Sequence, residues 1–293
     1  MLIENEADVD KCDDSGTSPL LAACKEGHRE VLQMLINNKS DINKFNDDEV
    51  TPLSLASQNG HTEIVQMLID NKADINRCAV NGLSPLHFAC VNGYIEVVQM
   101  LIINRAGIDK CQDIGALTLC AACYKGHTEV VHTLIINKAD INKCVDTGAS
   151  PLSIACEEGH TEIVRMLIEN EADINKCNDS GMSPLFTACH EGHTEVVQKL
   201  VKNKAEINKC PDIGASPLFA ACKRGHTEVV QVFIEHEADI DKCTDTGTSP
   251  LLIACQEGHT EVVHMLIENK ADINKCQDNG ASPSSHCLFD RKY

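Results

Sequence analysis

At 293 residues, with 43% apolar, 24% charged and 3% aromatic side chains, the chain has the length of two ordinary domains and enough apolar residues to build cores, which excludes a disordered protein. Its 44 acidic against 25 basic residues leave a formal charge of -19, a field that repels nucleic acid and anionic lipid and favours a basic partner; the chain also has no Trp for stacking on bases. No segment approaches the ~18 uninterrupted apolar residues of a membrane span, MLIENEADVD at the N-terminus is no signal peptide, and 17 cysteines in so long a chain read as reduced thiols of an intracellular, cytoplasmic protein.

Compared with itself, the sequence repeats every 33 residues without insertion or deletion. Residues 1–12 are the tail of an incomplete unit. Eight units follow at 13–45, 46–78, 79–111, 112–144, 145–177, 178–210, 211–243 and 244–276, and residues 277–293 hold the start of a ninth with a non-repetitive tail. The elements recur in the same order, as the fifth unit shows. Asp146 and Gly148 mark a turn, because a short Asp side chain bonds its own backbone and Gly accepts positive φ. Ser150 is predicted to cap a first helix starting at Pro151, where the missing N–H costs nothing. Leu152, Ala155 and Cys156 share one face of that helix, and Gly159 stops it. A second helix carries Ile163, Val164, Leu167 and Ile168 at helical spacing, and Ala172 to Asn175 is predicted to be extended, returning the chain to the next turn. Two units depart from this template. Glu49 stands where the turn Gly should be, and Leu117-Thr118-Leu119 lacks both the capping hydroxyl and the Pro, so both places are expected to be weak points. One unit cannot bury enough apolar surface to order itself, so neighbours must stack. The expected fold is all-α, an α-solenoid of helix-turn-helix units with hairpin loops.

Ser-Pro-Leu-x-x-Ala-Cys, Gly-His-Thr-Glu-Val-Val and Leu-Ile-x-Asn-Lys-Ala-Asp-Ile-Asn, repeated in phase, closely resemble the ankyrin repeat from the N-terminus to Pro283. The family's Thr-Pro-Leu-His is complete nowhere. Thr51 keeps the Thr and His87 the His, while Leu21, Ser54, Cys120, Ser153, Phe186, Phe219 and Leu252 occupy the His position. The Gly that the family places before Ala-Asp is Lys or Glu in most units. The resemblance implies a protein-binding array, since the family is overwhelmingly non-enzymatic.

The recurring polar residues read as structural. His28, His61, His127, His160, His193, His226 and His259 follow the helix-stopping Gly, where a ring bridges the backbones of adjacent turns, and units ~8 to 10 Å apart hold them too far from one another to share a metal. Glu129, Glu162, Glu195, Glu228 and Glu261 complement the dipole of the second helix. Cysteines form two ladders. Cys24, Cys90, Cys123, Cys156, Cys189, Cys222 and Cys255 take a buried, Ala-like position, whereas Cys12, Cys78, Cys111, Cys144, Cys177, Cys210, Cys243 and Cys276 sit near the loop tips after Lys or Arg, exposed and with thiols expected to ionise more easily. A redox or soft-metal role for the tip ladder is the alternative. No phosphate loop, nucleophile-base set or paired Zn-type CxxC is present, so no catalytic residue, metal or cofactor is expected and no small-molecule substrate is implied.

Function therefore rests on recognition. The positions two, five and six residues after the Leu of each first helix face outward and vary most between units. Phe88, Val91 and Tyr124 are expected to form one exposed patch edged by Leu55 and Ile154, with His190 at the corresponding place in the sixth unit. The alternative for Phe88 is that it tucks against the neighbouring helix and seals the stack. The chain is expected to bind or scaffold a protein partner; the alternative is the recognition arm of a larger enzyme, channel or ubiquitin-pathway protein of which it is a fragment. Asn142, Asn175, Asn208 and Asn274 each follow a Leu eight residues earlier and an acid two residues earlier. That spacing resembles the asparagine-hydroxylation consensus of ankyrin repeats; the alternative is that each Asn simply holds its turn.

Overall fold

A computed structural model describes residues 8–108, 118–209, 211 and 214–275. The chain forms two compact units, Met1–Asp146 and Thr147–Tyr293. The first unit contains the helix pairs α1 (Pro19–Glu26) and α2 (Arg29–Asn37), α3 (Pro52–Gln58) and α4 (Thr62–Asp70), α5 (Pro85–Asn92) and α6 (Ile95–Ile103), and α7 (Thr118–Lys125) and α8 (Thr128–Ile136). The second contains α9 (Pro151–Glu157) and α10 (Thr161–Glu169), α11 (Pro184–Glu191) and α12 (Thr194–Lys202), α13 (Pro217–Arg224) and α14 (Thr227–Glu235), and α15 (Pro250–Gln256) and α16 (Thr260–Glu268). The described residues contain no strand. Within each unit every first helix packs on the first helix of the next repeat and every second helix on the next second helix.

Local chemistry places the helix starts where the sequence predicts them. Ser150 Oγ accepts the Ser153 N–H at 3.1 Å ahead of Pro151, and Ser18, Thr51, Ser84, Ser183, Ser216 and Ser249 cap their helices in the same way. In α7, Thr118 opens the helix and its hydroxyl donates to the Ile108 carbonyl at 3.0 Å. The other half of that weak point, Leu117, lies outside the described residues. Leu152, Ala155, Cys156 and Leu167 are completely buried, and most of their counterparts along both stacks are buried too, so the apolar stripes of the first and second helices meet in one core per unit.

Two polar ladders tie successive repeats together. In the first, the His61, His127, His193, His226 and His259 rings lie 2.8 to 3.1 Å from the carbonyls of Lys25, Val91, Glu157, His190 and Lys223, each 36 residues earlier. Those rings rest directly on the helix-stopping glycines of the preceding repeat. At Gly192 (φ +81°) a Cβ would stand 2.6 Å from the His226 ring, so Gly is needed there both for its backbone and for its missing side chain. In the second ladder a loop side chain accepts a backbone N–H 31 residues on: Asn43 from Asp74, Asn175 from Glu206, Asn208 from Asp239 and Asp241 from Asp272. This ladder corrects the expectation of an extended Ala172–Asn175 stretch. The Asn175 N–H donates to Asp173 Oδ1 at 3.0 Å, and this side chain-to-backbone bond draws the chain into a turn.

The missing glycines leave a visible strain. Lys39, Lys72, Arg105, Lys138, Glu171, Lys204, Glu237 and Lys270, at the position that is Gly in the ankyrin pattern, all adopt left-handed backbone, as does Glu49, with φ between +53° and +69°. Each such residue costs about 1–2 kcal/mol relative to right-handed backbone.

Candidate recognition surface

The variable positions sit on the exposed ends and outer wall of the first helices. In the first unit, Tyr124 on α7 is 53% exposed, while Leu55 on α3 and Phe88 and Val91 on α5 are half-buried. Because α3, α5 and α7 pack side by side, these residues occupy one wall. Val91 also contributes its carbonyl to the His127 ring, which fixes the α5 backbone against the following repeat. The Lys125 ammonium stands 5.1 Å from the centre of the Tyr124 ring, close enough for a cation–π contact. Ile154 and His190 belong to the second unit and are both half-buried. Two outward assignments need correction. Ala220, which packs with Phe186 and Ala215, and Ile253 are buried.

The second unit adds a feature that the sequence pattern did not single out. Its first helices enclose a groove of about 360 Å³ reaching from Ala149 to Lys223. Phe186 and Ala220 are buried in its floor together with Ala215, and the half-exposed Met182 and Phe219 pack against them. Phe186 and Phe219 fall at one register in successive repeats, the position where the ankyrin pattern has His. That coincidence, in a chain with only six Phe, was the signal available in the sequence. Glu157 and Glu191 line the groove on the side of the fifth and sixth repeats, and Lys223 lines it on the seventh. Between them, His190 makes two side-chain bonds. Its Nδ1 lies 2.7 Å from Glu191 Oε1, and its Nε2 accepts from the Arg224 guanidinium at 2.8 Å. Burial, followed by repulsion from Glu158 and Glu191, holds the Glu157 carboxyl above its ordinary value.

The thiol ladders differ from expectation in one respect. Cys24, Cys90, Cys156, Cys189 and Cys222 are free and buried, and loss of solvation pushes their thiols up, to about 12 for Cys24. Of the tip ladder, Cys12, Cys144, Cys177 and Cys243 are half-buried rather than exposed. Their thiols point back along the loop, and that of Cys177 donates to the Asn175 carbonyl. Burial raises the Cys243 thiol even though Lys275 acts in the opposite direction, so the neighbouring cation does not create a reactive thiolate there. Cys78 and Cys255 are disulfide-bonded, which overturns the expectation of a fully reduced chain. Cys255 is also only half-buried. Cys111, Cys210 and Cys276 lie outside the described residues.

Among the described residues no three or more His, Cys, Asp or Glu side chains gather as a metal site, and no helix is long and apolar enough to cross a membrane. Models described as ankyrin repeats match residues 1–36, 39–113, 119–210 and 209–276. The chain belongs to the ankyrin-repeat family. Ankyrin repeats are generally protein-protein interaction modules and typically non-catalytic. Among curated proteins, none matches this ankyrin-repeat chain.

Proposed function

We propose that the chain is a non-enzymatic ankyrin-repeat scaffold that grips a protein partner on the wall formed by its first helices. The observation that carries this reading is the exposure of Tyr124 beside the half-buried Phe88 and Val91, an apolar and aromatic group at positions that the repeat itself leaves free to vary. Leu55 borders that group, and Ile154 and His190 present the corresponding positions in the second unit. The charge of -19 favours a basic protein over nucleic acid or an anionic membrane surface, and the proposed setting is the cytoplasm, with no cofactor or small-molecule substrate. Changing Phe88 and Tyr124 together to Ala tests the proposal. Binding to a partner isolated from the source cells should weaken at least tenfold while the thermal transition stays in place. Unchanged binding, or a loss that only follows unfolding, would show that the patch is packing.

Asn142, Asn175, Asn208 and Asn274 are proposed substrates of an asparaginyl hydroxylase, and the first three are half-buried in their turns while Asn274 is exposed. Asn175 and Asn208 already brace the following repeat through their side-chain oxygens. Asn274, the exposed member of the four, is expected to be modified most readily, and peptide mass spectra showing no added oxygen at any of the four would end the proposal.

A further inference from the structure

The groove of the second unit combines two features. Its floor is apolar, and its two ends carry opposite charge. Met182, Phe186 and Phe219 offer an apolar seat, Glu157 and Glu191 stand at one end, and Lys223 stands at the other. A volume of about 360 Å³ accepts one or two side chains but not a folded surface, near the lower end of the ~300–1,000 Å³ typical of ligand pockets.

We infer that this groove binds an extended peptide that seats one large apolar side chain on Phe186 and Phe219 and directs a Lys or Arg side chain to the Glu157–Glu191 end. This rests on the protein-binding reading above and adds the class of ligand and its place. Charge complementarity carries the choice of a basic peptide. Burial first, and then the charges of Glu158 and Glu191, hold the Glu157 carboxyl up, and an incoming cation relieves the share due to the two glutamates. The nearby His190 acts the other way on Glu157, but as the weakest of the influences there it leaves the carboxyl raised. On the seventh repeat Lys223 repels a second cation, so the basic residue has one preferred direction.

Selection of random twelve-residue peptides displayed on phage against the full chain tests this. Enriched peptides should share a Lys or Arg within a few positions of a large aliphatic or aromatic residue. Synthetic copies should lose at least tenfold in affinity on E157K/E191K and on F219A, and their affinity should fall as salt rises. E157K/E191K changes only exposed side chains, so it remains informative if F219A loosens the repeat. Enriched peptides that are neutral or acidic, or that bind equally well to both variants, would overturn the groove assignment, as would selection that enriches nothing above the uncoated support. None of these results bears on the Phe88 and Tyr124 test, so a failed groove leaves the broader reading standing or falling on its own assay.

Discussion

The histidine ladder makes a quantitative demand on the glycines beneath it. Gly192 has φ +81°, and a Cβ there would lie 2.6 Å from the His226 ring, whose Nε2 meets the His190 carbonyl at 3.1 Å. Gly192→Ala must accept left-handed backbone, at about 1–2 kcal/mol, and must also push the ring off its carbonyl, forfeiting about 1 kcal/mol of hydrogen bond. The expected total is about 2–3 kcal/mol. In a His226→Ala background the ring is already gone, so the same substitution should cost only the backbone share, and the coupling in the cycle should be about 1 kcal/mol. Gly258 supplies a control. It has φ +77° with nothing within 4 Å of its added Cβ, so Gly258→Ala should cost only about 1–2 kcal/mol. Urea unfolding followed by far-UV circular dichroism reads all of these. If Gly192→Ala costs the same with and without His226, the rings do not lock the repeats together and the reasoning fails.

Other outcomes follow from burial and capping. A maleimide reagent at pH 8 should label Cys12, Cys144 and Cys177 well before Cys24, Cys156 or Cys189, whose thiols are buried and raised; peptide mapping that finds equal native-state rates would refute this. Burial lowers His87 from 6.5 to about 4, so the unfolded chain binds the extra proton first; stability is full above pH 6.5 and falls toward pH 4 by about 3 kcal/mol, a slope that His87→Leu should remove in denaturation curves taken across that window. Ser150→Ala deletes the cap on the Ser153 N–H and should cost about 1 kcal/mol, read as a lower urea midpoint.

Much of this architecture is legible in the sequence because each repeat states the same local rules many times. Ser-Pro announces a capped helix start, Gly its end, and the i, i+3, i+4 spacing of Leu152, Ala155 and Cys156 the buried face, and the structure forms these elements as expected. The histidine bridges were legible for the same reason. What escaped depends on relations between repeats rather than within one. The turn at Ile174–Asn175 is set by side chains reaching the backbone of their own and the next repeat, which a hydropathy pattern does not register. The groove arises because Phe186 and Phe219 align across α11 and α13, and a search for exposed variable positions passes over a pair whose first member is buried. Sequence position likewise suggested ionisable tip thiols, whereas the loops fold back over them and burial outweighs the charge of Lys275 at Cys243.

Hydroxyl-radical footprinting of the full chain, free and in complex with a partner purified from the source cells, tests the central claim most directly. Recognition on the first-helix wall predicts protection at Phe88 and Tyr124, or at Met182 and Phe219 in the groove, while Ile103 and Ile136, 79% and 62% exposed at the ends of α6 and α8, react as in the free chain. Protection confined to Ile103 and Ile136, with the first helices reacting unchanged, would contradict it.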